Sequence, residues 1–239
     1  MAYQAVFKRY ELKYMLTCEQ KQKILDAMDP YMALDKYGRT EIRNIYFDTD
    51  TYRLVRRSIE KPVYKEKLRI RSYGRATPDS TVFVELKKKY KKVVYKRRIS
   101  LPEAEAMAWI CGSEHCASDT QIVKEIDYFC DYYGGLRPAV FLSYEREAYY
   151  SRTGGDFRVT FDDNILCKFN DISLCTESGG IPLLDEGKVL MEIKCSGGIP
   201  LWMVKVLSEE KIYKTSFSKY GTVYNKLILP KYTEAYSYV

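Results

Sequence analysis

The stretch VELKKKYKKVVYKRR, residues 84–98, places eight lysines and arginines in fifteen positions. Glu85 is the one acidic residue in it. β-Branched and aromatic residues stand among these cations and predict two strands, over 81–90 and 93–100. A strand offers neighbouring like charges no partner of its own. We therefore expect negative charge from outside the chain to balance this stretch.

The chain as a whole is moderately basic. It has 239 residues, of which 46% are hydrophobic and 30% are charged, and its formal net charge is +7. This length corresponds to one large domain or two small ones, with enough apolar residues for a sizeable core. The charge indicates an anionic partner, but it leaves nucleic acid, a membrane surface, a nucleotide and phosphate open.

The cysteines and the single histidine argue against several kinds of site. The seven cysteines are odd in number and repeat no spacing, which predicts reduced thiols and a cytoplasmic location. Cys111, His115 and Cys116 lack the further ligands that a structural zinc needs, so we expect a helix end and a loop there. With one histidine in the chain, histidine acid–base chemistry and phosphohistidine chemistry are disfavoured.

The sequence shows no membrane-targeting pattern. The N-terminal residues MAYQAVFKRYELKY contain no apolar core of a signal peptide. No apolar run approaches the roughly 20 residues that a spanning helix requires. We expect neither a signal peptide nor a membrane span.

The predicted elements alternate between helices and strands. Capping-box patterns at 17–20, 100–103 and 118–121 predict helices over 18–28, after 103 and after 121. Two more helices are predicted over 200–210, with Pro200 in the first turn, and over 217–228. Strands are predicted over 4–14, 41–48, 64–73, 81–90, 93–100, 138–149, 156–163 and 188–195. No linker or repeat divides the chain, so we predict a single α+β domain over residues 1–239.

Charged residues recur on one face of the predicted strands. Because side chains alternate along a strand, residues of equal parity share a face. The charged faces contain Arg9, Glu11 and Lys13; Lys67, Arg69 and Arg71; Glu85, Lys87 and Lys89; Lys96 and Arg98; Arg146; Arg158 and Asp162; Glu192 and Lys194. A solvated outer face is the usual explanation for such a pattern in an antiparallel sheet.

A repeated tripeptide favours an interior instead. Glu-x-Lys occurs on three predicted strands, beginning at Glu11, Glu85 and Glu192. We predict a closed antiparallel β-barrel with a charged lumen, and helices packed on its apolar outside. Buried cations are costly without partners, so this lumen is expected to bind a polyanion. Arginine and lysine suit phosphate oxygens, and the glutamates suit a divalent metal.

A series of motifs points to a known family. Between about residues 5 and 228 the chain contains, in this order, FKRYELKYMLT, NIYFDTD, KEKLRIRSYG, VFVELKKK, FLSYEREAY, FRVTFDDNI, LMEIKC and SFSKYGTVY. This succession resembles the VTC domain, the polyphosphate polymerase domain. That family belongs to the triphosphate tunnel metalloenzymes, together with thiamine triphosphatases and the CYTH proteins. The resemblance implies a barrel tunnel that binds ATP and transfers its γ-phosphate to inorganic polyphosphate, using Mn²⁺ or Mg²⁺.

The resemblance also implies residue roles, which the strand parity extends. The implied phosphate ligands are Lys13, Arg69, Arg71, Lys87, Lys89, Lys96, Arg98, Arg146, Arg158, Lys194 and Lys219. Of these, Lys89, Lys96, Arg98 and Lys194 rest partly on the assignment of faces. The implied catalytic residues are Arg69, Arg71, Lys87, Arg146, Arg158 and Glu192. Glu192 is the implied metal ligand, with Glu11 and Glu85 as further carboxylates.

The sequence departs from the family pattern at three positions. Arg9 stands where CYTH relatives carry the first glutamate of their motif, which favours the VTC branch over a simple triphosphatase. Ser58 and Ser216 stand where basic residues are expected. Both departures weaken the expectation of efficient polymerisation.

Several functions stay open at this point. A tripolyphosphate or nucleoside triphosphate hydrolase would use the same ligands, and a non-catalytic module would only bind polyphosphate. A nucleic-acid binder is disfavoured, because Tyr10 and Tyr14 fall on the face opposite Lys13. Eukaryotic relatives carry SPX and membrane domains that this sequence lacks, so a membrane or protein partner of unknown identity also stays open.

Overall fold

A computed structural model describes residues 10–91 and 93–236 of the chain. Ten strands are described: β1 Tyr10–Thr17, β2 Met32–Asp48, β3 Tyr64–Tyr73, β4 Thr81–Tyr90, β5 Val93–Pro102, β6 Arg137–Ser151, β7 Arg158–Lys168, β8 Ile181–Pro182, β9 Lys188–Cys195 and β10 Lys214–Thr215. The helices are α1 Cys18–Met28, α2 Arg53–Ile59, α3 Glu103–Ile110, α4 Gln121–Tyr133, α5 Leu201–Glu209, α6 Lys219–Val223 and α7 Leu229–Tyr236, with a π-helical turn at Tyr224–Ile228 between the last two.

The strands form one large antiparallel sheet. Its order is β10-β1-β9-β7-β6-β2-β3-β4-β5, and β8 pairs with β7 beside this path. The prediction of an α+β fold is confirmed, and the strands over 64–73, 81–90 and 188–195 have the predicted bounds. The part of the first predicted strand over 4–9 lies outside the described residues.

The sheet does not close into the predicted barrel. Within the described ranges, β5 pairs only with β4, and the path ends there. β1 has no free edge to accept it, because β9 pairs along its whole length on one side and β10 pairs at Lys13 and Tyr14 on the other. The expectation of closure is corrected to an open, curved sheet.

Apolar side chains on the outer face of the sheet pack against helices. Ile70, Val84 and Leu86 form one core cluster with α3 and α4. Met191 and Ile193 belong to a second cluster with α1 and α5. The predicted packing of helices against the apolar strand faces is therefore confirmed, and the charged faces are left for the inner side.

The C-terminal helical segment packs on the inner side. Tyr220 and Tyr224 form a third cluster with Tyr46, Leu142 and Tyr144 of the sheet. These five side chains are almost completely buried. One end of the concave face is therefore filled by apolar and aromatic groups.

Helix starts were predicted with mixed success. The capping box at the start of α1 is present, with Thr17 and Gln20 bonded to each other's backbone. The box predicted at Ser100 is wrong, because α3 begins after Pro102 without a side-chain cap. The box at Ser118 is also wrong, because Thr120 caps α4.

The sequence prediction missed several elements, including the first part of β2, α2, β8 and β10. Residues 32–40 extend β2, and residues 32–34 and 39–40 of this stretch pair with β6. The helix α2 begins at Arg53 after Tyr52, whose φ is 55°. The first backbone N–H groups of α2 have no partner within the helix. The Asp48 carboxylate accepts hydrogen bonds from two of them, those of Leu54 and Val55. A cap that lies six residues upstream follows no short sequence pattern.

The structure also describes the cysteine thiols and the lengths of the helices. All seven cysteines are free thiols. Across residues 10–91 and 93–236, no three histidine, cysteine, aspartate or glutamate side chains form a group able to hold a metal. Among the described helices, none has the length and apolar composition needed to cross a membrane.

Candidate phosphate-binding site

Strand register brings the predicted site residues into rows on the concave face. Directly paired residues of antiparallel strands point to the same side of a sheet. One row joins Arg69, Glu85 and Arg98, and the next joins Lys67, Lys87 and Lys96. Across the sheet, Lys13 pairs with Glu192, and Lys194 pairs with both Glu11 and Arg158. The charged residues that the sequence placed on one face of each strand therefore lie on the same face of the sheet.

Glu85 is the centre of one cluster of cations. Its carboxylate lies 2.7 Å from Arg69 Nη2, 2.5 Å from Lys96 Nζ and 2.8 Å from Arg98 Nε. The Glu85 side chain is 1% exposed. Burial opposes its ionisation, but the charges of Arg69, Arg71 and Lys96 outweigh burial and hold its pKa well below the usual range. Glu85 is therefore ionised, and its carboxylate is ion-paired with Arg69, Lys96 and Arg98.

Asp162 is the centre of a second cluster. Arg146 binds it with two parallel bonds, Nε–Oδ1 at 2.5 Å and Nη2–Oδ2 at 2.6 Å. Lys219 Nζ lies 2.5 Å from Oδ2 of the same carboxylate. Burial raises the pKa of Asp162, but Lys219 and Arg146 outweigh it and lower the pKa. The bidentate geometry fixes the Arg146 guanidinium on the concave face.

Glu192 lies beside this cluster. Its carboxylate oxygens are 3.1 Å from Lys13 Nζ, 3.5 Å from Lys194 Nζ and 3.7 Å from Arg146 Nη2. Burial disfavours the charged form, yet Lys219, Lys194, Lys13 and Arg146 lower the pKa well below the usual value. Glu192 is therefore ionised, and its surroundings are cationic.

Two tyrosines and an asparagine hold the central arginines. Arg69 donates from Nη1 to the Tyr46 hydroxyl at 3.0 Å, and Arg71 donates from Nε to Asn44 Oδ1 at 2.9 Å. Arg71 Nη2 also lies 3.2 Å from the Tyr144 hydroxyl. Burial raises the pKa of Tyr46, but the charges of Arg69, Lys67 and Arg71 lower it to about 8. These neutral partners orient the guanidinium groups without cancelling their charge.

An open cavity adjoins these clusters. It has a volume of about 910 Å³ and lies between β1, β3, β4 and the segment 214–218. Of the described residues that line it, eight are lysines and one is a glutamate, Glu11. The lysines are Lys13, Lys61, Lys65, Lys67, Lys87, Lys89, Lys91 and Lys214. The cavity therefore carries a large excess of positive charge.

Glu11 bridges the open side of the sheet. Its carboxylate lies 3.4 Å from Lys13 Nζ on its own strand and 3.4 Å from Lys87 Nζ on β4. Burial and the nearby Glu192 raise the pKa of Glu11, but Lys87, Lys13 and Lys194 lower it to about 2. A side-chain contact thus spans the two strands that the backbone leaves unpaired.

The carboxylates differ in how well they fit a divalent metal. Glu11 and Glu192 both contact the Lys13 ammonium, so they are close neighbours and both are ionised. Magnesium-like ions commonly use one or two carboxylates together with substrate phosphates. Glu11 and Glu192 suit that arrangement. Glu85 does not, since Arg69, Lys96 and Arg98 lie at 2.5–2.8 Å from its carboxylate, whereas the cations beside Glu192 lie at 3.1–3.7 Å.

Two predicted ligands lie apart from these ion pairs. Arg158 is on the charged face of β7 but at an exposed strand end, and it forms no ion pair with another described residue. Lys89 lines the cavity and likewise has no described carboxylate partner. Both side chains are available to an external anion.

Sequence reasoning missed part of the site. Lys65 and Lys67 line the cavity, although neither was assigned a role. Lys67 has the parity of Arg69 and Arg71, so the signal was present in KLRIRSY. Strand alternation also placed Asp162 on a charged face, but no sequence pattern indicated that Asp162 would pair with Arg146 and Lys219.

Fold and site together agree with a known domain family. The VTC domain family matches residues 8–228, and the chain belongs to that family. No curated protein matches the chain significantly. The chain is similar in fold to a proposed adenylate cyclase from Bacillus halodurans, with a TM-score of 0.56, 15% identity, and coverage of 90% of this chain and 96% of that one.

A second solved structure has the same fold. It is a proposed adenylyl cyclase from Hippeastrum with a dominant triphosphatase activity. The TM-score is 0.50 at 17% identity, over 90% of this chain and 94% of that one. At such identities the likeness establishes the fold alone.

Proposed function

We propose that the chain is a metal-dependent phosphoryl transferase that extends inorganic polyphosphate from the γ-phosphate of ATP. The observation that carries the proposal is the lysine-lined cavity beside two ionised carboxylates, Glu11 and Glu192. Like charges gathered in a partly buried space destabilise the empty protein. A chain of phosphates offers the opposite charge along its whole length. Membership of the VTC family supports the same substrate class.

The basic residues would position the reacting phosphates. Phosphoryl transfer depends on alignment and neutralisation of charge more than on covalent chemistry. Arg69, Arg71 and Arg146 are held by hydrogen bonds and are suited to orient the γ-phosphate. Lys87, whose contact with Glu11 is 3.4 Å long, and the exposed Arg158 would close on it. The proposed phosphate ligands further include Lys13, Lys89, Lys96, Arg98, Lys194 and Lys219.

Glu192 and Glu11 would hold the divalent metal, Mn²⁺ or Mg²⁺. When bound, such an ion neutralises phosphate charge and polarises the transferred group. Glu85 is left out of this role, because Arg69, Lys96 and Arg98 all lie within 2.8 Å of its carboxylate. The acceptor is a phosphate oxygen that already carries negative charge. No general base is therefore required, which agrees with the single histidine of the chain.

A bound polyanion would also complete the site across the open side of the sheet. Lys13 belongs to β1 and Lys87 to β4, and Glu11 now lies between their ammonium groups. Phosphates that contact both lysines would link these two strands through their side chains. The free thiols suit a reducing compartment, so we place the reaction in the cytoplasm.

Hydrolysis of tripolyphosphate or a nucleoside triphosphate is the second candidate. The structural likeness to the Hippeastrum protein favours it. The same residues would serve, with water as the acceptor in place of a phosphate chain. A polyphosphate-binding module without turnover is the third candidate, and it requires only the cationic cavity.

One incubation separates the three functions. The protein is mixed with ATP and Mn²⁺, and the products are resolved by gel electrophoresis for polyphosphate and assayed for free phosphate. We expect a ladder of polyphosphate with release of ADP. Free phosphate without a ladder would identify a hydrolase. Tight binding of polyphosphate without any product would identify a binding module, and a sample with EDTA controls for the metal.

A further inference from the structure

Four lysines of β3 and β4 form a rectangle of like charges. Lys65 pairs with Lys89, and Lys67 pairs with Lys87, in the antiparallel register. Paired side chains begin about 5 Å apart, and the two rows are about 7 Å apart along the strands. Like charges directly opposite each other destabilise a sheet. We call these four residues the lysine rectangle.

The lysine rectangle has few negative partners. Lys65 donates to the Ser58 carbonyl oxygen at 3.0 Å, and Lys67 donates to Ser218 Oγ at 3.0 Å. Lys87 shares Glu11 with another lysine, and Lys89 has no ion pair within the described parts of the chain. One carboxylate therefore faces four ammonium groups. In the neighbouring row, Arg69 contacts the buried Glu85 carboxylate at 2.7 Å, and Lys96 and Arg98 share that carboxylate at 2.5 Å and 2.8 Å.

The pKa values of Lys65 and Lys67 are lowered in the direction expected for amines that lack negative partners. Burial lowers the pKa of Lys65, and the charges of Lys89 and Lys87 lower it further. Burial, together with Lys87 and Lys65, lowers the pKa of Lys67 to about 8 although Tyr46 acts in the other direction. An anion in contact with these amines would remove this cost.

The rectangle extends the site along the strands. From Arg71 to Lys65, β3 runs over six residues, a length of about 20 Å. Arg71 and Arg69 are at the inner end, close to the carboxylate clusters, while Lys65 lies in the open cavity. A single triphosphate is much shorter than this row and cannot occupy both ends. A linear chain of phosphates can.

We propose that the lysine rectangle extends the triphosphate site into a subsite for the chain of a linear polyphosphate, with Lys87 where the two meet. Lys65 and Lys67 are then the residues that distinguish long polyphosphate from short phosphates. This proposal rests on the proposed function in that it takes polyphosphate as the ligand. It does not depend on turnover, because a transferase, a hydrolase and a binding module would all use such a subsite.

The test compares two ligands in the absence of metal. Affinities for tripolyphosphate and for long-chain polyphosphate are measured with EDTA present, at constant ionic strength, for the wild type and for the variant Lys65→Gln/Lys67→Gln. Lys205→Gln is the matched control, because Lys205 is 75% exposed on α5 and lies outside the cavity. We expect the double variant to bind long-chain polyphosphate at least about tenfold more weakly, since each lost charged contact contributes on this scale.

The same variant should bind tripolyphosphate within about twofold of the wild type, because a short ligand at the inner site makes no contact that is lost. The slope of log affinity against log salt for the long chain should also fall by about 1.5, by analogy with phosphate contacts in single-stranded nucleic acids. The single variant Lys65→Gln gives the same comparison if the double variant is poorly folded.

Two results would overturn the proposal. Equal weakening for both ligands would place the lysines in the triphosphate site itself. No weakening for either ligand would show that the rectangle is an ordinary solvated surface. Neither result bears on the gel assay of ATP products, so the failure of this proposal and the failure of the proposed function are separable.

Discussion

At the scale of single residues, Glu192 has contacts that fit two roles, and a variant can separate them. It contacts Lys13, Lys194 and Arg146, which is what a structural ion-pair partner would do. It also lies beside Glu11, which is what a metal ligand would do. Only the second role needs the negative charge for turnover itself.

We expect Glu192→Gln to reduce Mn²⁺-dependent turnover of ATP by about a hundredfold or more, a scale typical of removing one group that stabilises transition-state charge. Triphosphate affinity should be retained, because loss of a negative charge does not repel an anion. Arg69→Ala should weaken binding first. Turnover and affinity are measured for both variants, with the exposed Glu209→Gln as control, and unchanged turnover in Glu192→Gln would rule out the metal role.

The lowered pKa of the Lys67 amine predicts that polyphosphate binding depends on pH. Its amine faces Tyr46 on β2, Lys87 on β4, Lys13 on β1 and Lys65 on its own strand, and burial and the lysines lower its pKa to about 8. A bound polyanion favours the protonated amine, so the pKa rises in the complex and protons are taken up. Affinity is therefore full below about pH 8 and falls as the pH rises above it.

Lys67→Arg tests this pH dependence, because arginine stays charged throughout the range. The ratio of the variant's affinity for polyphosphate to that of the wild type should increase at least about tenfold between pH 7 and pH 9.5, since one pKa unit corresponds to a tenfold change. The ligand's own titration is common to both proteins and cancels in the ratio. A ratio that is constant with pH would contradict the assigned shift.

The strand face on which each charged residue lies could be predicted from the sequence. The residue with which it forms an ion pair could not. The alternation in KLRIRSY and FVELKKK placed Arg69, Arg71 and Lys87 on one face, where the structure has them. The partners depend on which strands are neighbours. Asp162 meets Arg146 only because β6 and β7 are adjacent, and no short-range pattern carries that information.

At the scale of elements, the start of α4 provides a sharp test of the structure against the sequence pattern. The capping-box pattern assigned the cap to Ser118, whereas Thr120 accepts from the Val123 N–H at 3.4 Å. Thr120→Ala should lower the free energy of unfolding by about 1 kcal/mol, as the loss of an N-cap does. Ser118→Ala should change it by less than about 0.5 kcal/mol, as for an ordinary surface position.

Urea unfolding of the two variants measures both values under the same conditions. A larger loss for Ser118→Ala than for Thr120→Ala would move the helix start back to the position that the sequence pattern indicated. The pattern failed here because two hydroxyl residues lie two positions apart. Only the backbone conformation selects between them, with Thr120 extended at φ −78° and ψ 157°.

Strands were easier to predict than helices in this chain for a physical reason. A strand with one apolar and one charged face, such as 64–73 or 81–90, shows its period directly in the sequence. The seven-residue helix α2 has too few turns to show a period. Its N-terminus depends on Asp48, a residue of the preceding strand, so the decisive interaction lies outside the segment.

At the scale of the whole molecule, a cationic concave face predicts stabilisation by polyanions. A ligand that binds only the folded state at about 100 times its Kd adds about 2.7 kcal/mol, which is about 5–10 °C in Tm for a chain of this size. Tripolyphosphate and long-chain polyphosphate should both produce such a shift. Sodium chloride at the same ionic strength should not, and an equal shift with chloride would mean that the charges are solvated surface.

Closure of the barrel could not be predicted from the sequence, because strand alternation shows which face is charged and not which strands are neighbours. Eight predicted strands are enough for a barrel, and the rows of charge suggested one. The two-residue strand at Lys214 and Thr215 has no recognisable strand pattern, yet it pairs with Lys13 and Tyr14 of β1. The order of strands at the ends of the sheet is therefore not visible in the sequence.

The apolar filling at one end of the concave face bears on how substrate and product would reach the site. Tyr46, Leu142, Tyr144 and Tyr220 are packed there and buried, whereas the lysine-lined cavity is open to solvent. In the proposed reaction, an incoming nucleotide and a growing polymer that both pass through this cavity would compete for the same lysines. Chain length would then depend on how long the polymer stays bound between additions.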